Sequence, residues 1–357
     1  MVGQMEGISM AGRVLMCSGC HVTAPGGDYI FHGRETSGAL GSGSATLTRR
    51  AFGALAGVSA LFILMPWGVR AAHAQTLPGA LVSSDWLRTK LGSPDLVVVE
   101  LRSAAGGPFA GAHIPGALVS PYPGRWQVDR AGIPWSRPAP EDVAALLGGL
   151  EIGPGKRVVL VPMGNDATEL GAATWPYWLV RYSGHAGVAL LDGGLNAWLA
   201  DQTNPRDAEA RQAQPVAFTT VTDESILIST ADVAGRLHGT TVILDARSPD
   251  QYAGTSVSSL VVRAGHIPGA INLPFFAVYD SGSNRLKPVD DLRAIAEQLV
   301  PNREVEIIVY CNTGHWSSIV WFALHEVLGY RTARLYEDSM AGWSREPTLP
   351  LTLGSAP

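Results

Sequence analysis

Cys311 and its neighbours hold most of the chemistry legible in this chain. The residue follows Ile307-Ile308-Val309-Tyr310, an apolar, β-branched run that reads as a buried parallel strand. It precedes an apolar stretch from Ser317 to Leu328 that reads as a helix. A thiol between such a strand and a helix N-terminus faces unpaired backbone N–H groups and the positive end of the helix dipole. Those surroundings favour the thiolate, which is the nucleophile. The N–H groups from Asn312 to Ser317 are expected to cradle negative sulfur as an anion-binding nest does. Gly314 suits a tight loop that needs a positive φ. Ser317 is expected either to hydrogen-bond the sulfur or to cap the helix, and His315 would add positive charge only if protonated, its unperturbed pKa of about 6.5 leaving it mostly neutral at pH 7. The plainer alternative is a buried structural cysteine.

Cys311, Gly314 and Ser317 stand at the spacing Cys-x-x-Gly-x-x-Ser, and three further segments accompany them. These are Asp245-Ala246-Arg247, Gly265-His266-Ile267-Pro268-Gly269-Ala270 and Ala341-Gly342-Trp343. In this order, from about Leu81 to Trp343, the chain resembles the rhodanese family of sulfurtransferases. The resemblance implies an α/β fold of two tandem rhodanese-like domains, each a parallel sheet flanked by helices. It also implies a persulfide carried by Cys311, within a substrate-binding loop of Asn312, Thr313, Gly314, His315, Trp316 and Ser317. Asp245 and Arg247 are read as supporting residues, Arg247 first as an ion-pair partner, and His266 as a residue that stabilises its turn. Thiosulfate-specialised relatives carry cations directly after the cysteine and an Arg before the aromatic at Tyr252. Here those places hold Asn312, Thr313 and Gln251, so a sulfonate dianion should bind more weakly. A phosphatase or arsenate reductase of the same family would need Cys-x5-Arg for a bidentate oxyanion clamp, and no Arg stands in the loop.

The elements that position this loop occur twice. Leu81-Val82-Ser83-Ser84 and Leu227-Ile228-Ser229-Thr230 each put an N-cap hydroxyl before a short helix. Strands Leu96 to Leu101 and Thr241 to Leu244 lead into Arg102-Ser103 and Arg247-Ser248. His113-Ile114-Pro115-Gly116-Ala117 repeats as His266 to Ala270, Val158 to Val161 as Ile307 to Val309, and Asn196-Ala197-Trp198 as Ala341-Gly342-Trp343. Strands alternating with helices predict parallel sheets covered on both faces. Aligning the third strands places Met163 opposite Cys311, and a thioether cannot carry sulfur as a nucleophile. The first copy is therefore expected to be silent and to cover the second, with Trp175, Tyr177 and Trp178 either walling the cleft or filling the core. The expected division is residues 1–74 as leader and signal peptide, 75–200 as the inactive copy, 201–222 as linker and 223–357 as the catalytic copy.

Thr48-Arg49-Arg50-Ala51-Phe52 resembles a twin-arginine export motif. It precedes an uncharged apolar run, Ala51 to Trp67, and the small-residue site Ala72-His73-Ala74. The run is at the short limit for a membrane span, so cleavage before Gln75 and a periplasmic or otherwise exported protein are expected. Cleavage would remove Cys17 and Cys20, whose Cys-x-x-Cys-His pattern would otherwise suggest haem attachment, and leave Cys311 alone. The remaining chain has 21 basic and 28 acidic residues, a net charge of −7. That balance argues against nucleic acid or an anionic membrane as partner. No cofactor or metal is expected, since the remaining His residues form no ligand-spaced cluster. The expected partners are a small sulfur donor and a thiol or cyanide acceptor, with a protein as a further candidate acceptor. A non-catalytic sulfur-carrier or protein-binding module is the alternative reading.

Overall fold

The computed structural model describes residues 76–103 and 111–357. The Arg49-Arg50 motif, the Ala72-His73-Ala74 site and the Cys17-Cys20 pair lie outside the described residues. The first copy runs β1 (Leu81–Val82), α1 (Ser84–Lys90), β2 (Leu96–Ser103), β3 (Leu118–Tyr122), β4 (Val128–Arg130), β5 (Ile133–Ser136), α2 (Pro140–Gly149), β6 (Arg157–Val161), α3 (Ala167–Tyr182), β7 (Val188–Leu191) and α4 (Gly194–Ala200). The second runs α5 (Thr230–Ala234), β8 (Val242–Asp245), α6 (Pro249–Ala253), β9 (Ile271–Asn272), β10 (Tyr279–Asp280), β11 (Arg285–Leu286), α7 (Val289–Leu299), β12 (Ile307–Tyr310), α8 (His315–Trp321), β13 (Ala333–Leu335) and α9 (Ser339–Trp343). Helix α8 passes directly into a π turn, Phe322–Val327, so the helical stretch expected after Cys311 is two geometries end to end.

Both main sheets are parallel, in the orders β1-β7-β6-β2-β3 and β13-β12-β8-β9. The counterpart of β1 in the second copy shrinks to one bridge, Leu227 to Leu335. The expected caps are present: Ser83 accepts the Trp86 N–H and Ser229 the Asp232 N–H. Because side chains alternate along a strand, each sheet splits its apolar residues between two faces. Val97, Val99 and Leu101 of β2 and Ile307 and Val309 of β12 enter one core shared by both copies. Val98 and Val159 face a separate core in the first copy, Ile308 and Tyr310 another in the second. Helices α3 and α8 lie in the shared core, where Tyr177 meets Phe322 edge-on at 4.8 Å. Trp175, Tyr177 and Trp178 are all buried there, so they are core residues, and Trp175 also backs the Cys311 loop.

Each copy ends alike. Trp198 Nε1 donates to Pro205 O at 3.0 Å, and Trp343 Nε1 to Pro350 O at 2.9 Å. The following segments then return to the His-Ile-Pro-Gly turns, where His113 pairs with Asp207 and His266 with Thr352. Residues 201–222 therefore run along the first copy, with Arg211 N–H donating to Ala117 O and Val216 N–H to Gly148 O.

Sheet register corrects the expected partner of Cys311. Glu100 pairs with Val161 and Asp245 with Tyr310, so Val161 corresponds to Tyr310 and the next residue, Pro162, to Cys311. The following helices agree. Leu195 N–H donates to Pro162 O as Met340 N–H does to Cys311 O. Asn196 N–H donates to Met163 O as Ala341 N–H does to Asn312 O. The first copy's loop is one residue longer, with Asp166 at its helix N-cap where the other has Gly314. Counting back from the helix thus selects Met163, whereas the sheet selects Pro162. Proline, like methionine, offers no sulfur nucleophile at this position.

Candidate active site

Strand β12 is buried along its whole length and delivers Cys311 to its C-terminal edge, with the residue 1% exposed. Gly314, at φ 84°, turns the chain into α8, and a side chain there would strike the Trp175 ring. Ser317 Oγ lies 3.4 Å from Cys311 Sγ and 2.9 Å from Gly314 O. It therefore faces the sulfur, and the helix has no side-chain cap. One N–H of the expected cradle is already committed: Gly314 N–H, like Cys311 N–H, donates to Ser339 Oγ at 3.1 Å.

The polar residues of the loop are engaged by both copies. Asn312 Nδ2 donates to Gln251 Oε1 at 2.8 Å, so two of the neutral residues of the loop region bond each other. Asn312 Oδ1 is buried with no hydrogen-bond partner, and Thr313 is buried beside it. Trp316 stacks on Phe275 at 4.7 Å. His315 Nε2 lies 2.8 Å from Thr168 O and Nδ1 lies 2.7 Å from Tyr122 Oη, both in the first copy. Burial drives its pKa down to about 4, which removes it as a source of positive charge at neutral pH. The same burial, and then the charge of a Cys311 thiolate, push the Tyr122 phenol well above its usual range.

The cations near the loop are committed to carboxylates. Arg247 and Asp245 form a buried pair at 2.6 Å, and Arg247 Nη2 also donates to Gly265 O. This is the ion-pair role expected of Arg247, and it supports the turn that carries His266. His266 Nδ1 in turn donates to Tyr252 O at 2.8 Å, with the two rings stacked. Glu337, 2% exposed, accepts from Arg130 Nη2 at 2.9 Å and from the Arg137 N–H at 2.9 Å, and it also pairs with the Arg137 guanidinium. Arg130 and Arg137 come from the β4–β5 region of the first copy. The relation is reciprocal: Arg285 at the β10–β11 hairpin of the second copy reaches Asp192, the counterpart of Glu337, at 3.6 Å.

Sequence reasoning missed Tyr122, Thr168, Ser339 and the Arg130–Arg137–Glu337 clasp. Ser339 alone left a signal, since it precedes the closing Trp343 by the interval at which Gly194 precedes Trp198. The remaining contacts cross from one copy to the other.

Comparison with known proteins agrees with this geometry. The family described as Rhodanese-like domain matches residues 83–201 and 229–346. The chain is 34% identical to a thiosulfate sulfurtransferase of Pseudomonas aeruginosa over 284 residues, covering 77% of this chain and 97% of that one. A thiosulfate sulfurtransferase of Azotobacter vinelandii is also 34% identical, covering 78% of this chain and 98% of its own. Among solved structures, SseA of Escherichia coli, a 3-mercaptopyruvate sulfotransferase, superposes with a TM-score of 0.62 at 26% identity, covering 73% of this chain and 98% of that one.

Proposed function

The chain belongs to the rhodanese family and is a sulfurtransferase, and from that premise we propose that Cys311 is its sulfur carrier. The Cys311 thiolate attacks the sulfane sulfur of thiosulfate or a similar donor, the donor's sulfur–sulfur bond breaks, and sulfite or the equivalent anion leaves with the electron pair. Cys311 then holds a persulfide. Cyanide or a thiolate attacks the outer sulfur and the thiolate returns, which is covalent catalysis with ping-pong kinetics. The carrying observation is the pairing of Cys311 with Pro162 across the repeat. One fold, present twice, offers a thiol in a loop with Ser317 Oγ at 3.4 Å in one copy and no nucleophile in the other.

The paired state of Arg247, Arg130 and Arg137 favours a donor held by backbone N–H groups over one that demands a free cation. Thiosulfate is thus a weakly bound donor in this reading. From the Arg49-Arg50 motif and Ala72-His73-Ala74 we further propose that the chain is exported and cleaved before Gln75. Intact-mass measurement after incubation with thiosulfate, or with 3-mercaptopyruvate, whose carbon–sulfur bond breaks instead and releases pyruvate enolate with the electron pair, should show one added, cyanide-labile sulfur atom. Full transfer activity in Cys311→Ser would refute the assignment.

A further inference from the structure

The two copies form an internal comparison at the residue that opens the last helix. Ser339 in α9 and Gly194 in α4 both stand four residues before the closing tryptophan. Both adopt left-handed backbone, φ 50° at Ser339 and 64° at Gly194. Glycine is the ordinary residue for that conformation, and a side chain there is strained. The silent copy therefore has the residue that the turn alone would select. The copy bearing the cysteine keeps a serine against this preference.

The serine side chain uses its full hydrogen-bonding capacity within the loop. Its Oγ accepts Cys311 N–H and Gly314 N–H, each at 3.1 Å, and donates to Tyr336 O at 2.9 Å. One hydroxyl offers one hydrogen and two lone pairs, and all three are spent. The two N–H groups belong to the first and last residues of the Cys311–Gly314 turn, so the hydroxyl pins both ends. In the silent copy this link has no counterpart. Pro162 has no N–H to give, and a Cβ on Gly194 would stand 2.4 Å from Pro162 O and 3.2 Å from Gly164 N. There the backbone fills the space that the Ser339 side chain occupies in the other copy. Ser339 is also fully buried and two residues past Glu337, which Arg130 and Arg137 hold from the silent copy.

We propose that Ser339 is a positioning residue for the sulfur-transfer step, its hydroxyl fixing both ends of the Cys311–Gly314 turn so that Sγ stays against Ser317 Oγ. The proposal rests on the reading of Cys311 as sulfur carrier, and its test includes a measurement that does not. Ser339→Gly removes the hydroxyl while easing the backbone, and Ser339→Ala removes the hydroxyl while keeping Cβ. Both variants should show a cooperative thermal transition. Both should lose about ten- to a hundredfold in kcat, the scale expected when a reacting group is misplaced by an ångström or less. The donor KM should change less than about threefold, because a positioning defect acts on the reacting sulfur and not on donor binding. The pH profile of Cys311 alkylation by iodoacetamide should move to higher pH in both. Alkylation needs no sulfur donor, so it reports on Ser339 even if the wild-type protein transfers no sulfur. Transfer within about twofold of wild type and an unmoved alkylation profile in Ser339→Gly would overturn the proposal. Loss of the thermal transition in both variants would also overturn it, since Ser339 would then hold the fold and not the loop.

Discussion

Acidifying the protein from pH 7 to pH 4 should cost about 3 kcal/mol of stability through His315 alone. Its folded-state pKa is about 4 against an ordinary 6.5, and each pKa unit is worth about 1.4 kcal/mol. The sign follows from proton uptake. Between pH 6.5 and 4 the unfolded chain protonates His315 and the folded chain does not, so stability present above the unfolded value is lost as pH falls through this window. Hydrogen bonding pulls the other way. Thr168 O can only accept, so Nε2 carries a proton, while Tyr122 Oη faces both His315 Nδ1 and Gln127 Oε1, at 2.7 and 2.8 Å. A neutral ring leaves one of those two acceptors without a hydrogen, whereas an imidazolium would satisfy both. One unmatched buried acceptor costs about 1–3 kcal/mol, less than the several kcal/mol needed to bury an uncompensated charge. The neutral ring therefore wins. Urea unfolding at pH 7 and pH 4 should show the wild type losing about 3 kcal/mol more than His315→Gln, and the His315 ring nitrogens should titrate near pH 4 by NMR. The thiosulfate KM should not fall as pH drops from 8 to 6, because no cation forms at His315 in that range. Equal pH slopes in the two proteins, or an NMR midpoint above 6, would show that burial does not keep the His315 ring neutral.

Three other outcomes follow from the same geometry. Arg130→Ala combined with Arg137→Ala leaves Glu337 charged and buried with only the Arg137 N–H for support, which should cost about 3 kcal/mol; a loss below about 1 kcal/mol in chemical denaturation would mean that Glu337 is not held this way. A fragment of residues 223–357 exposes Trp321 and Phe322, each worth about 1.5–3 kcal/mol of burial. It should be poorly soluble or retain under about a tenth of the transfer rate, since it loses a core shared by both copies, and a monodisperse, fully active fragment would show that the first copy has another task. Arg49→Lys with Arg50→Lys should leave the precursor in the cytoplasm, whereas N-terminal sequencing that found residues 1–74 on exported protein would end the cleavage proposal.

Cys311, its strand and the duplication were all legible in the sequence because each is written locally. An apolar β-branched run reads as a buried strand wherever it lies, and His-Ile-Pro-Gly-Ala repeats as a string. That the first copy has no thiol at the position of Cys311 was also legible, although the residue standing there was misread. A loop between strand and helix can be counted from either end, and one extra residue moves the answer from Pro162 to Met163; only hydrogen-bonded register decides between them. His315 shows the limit more sharply. Its loop position left a partial charge open, but burial beneath the first copy, whose Tyr122 and Thr168 stand 193 and 147 positions away, sets the ring neutral. The clasp of Glu337 by Arg130 and Arg137 spans 207 and 200 positions. Local sequence records the periodicity of one element and the chemistry of one side chain. Burial, and the identity of a partner supplied by the other copy, exist only once the two sheets share a core, and those two quantities decide which groups near Cys311 are charged, held or free to act.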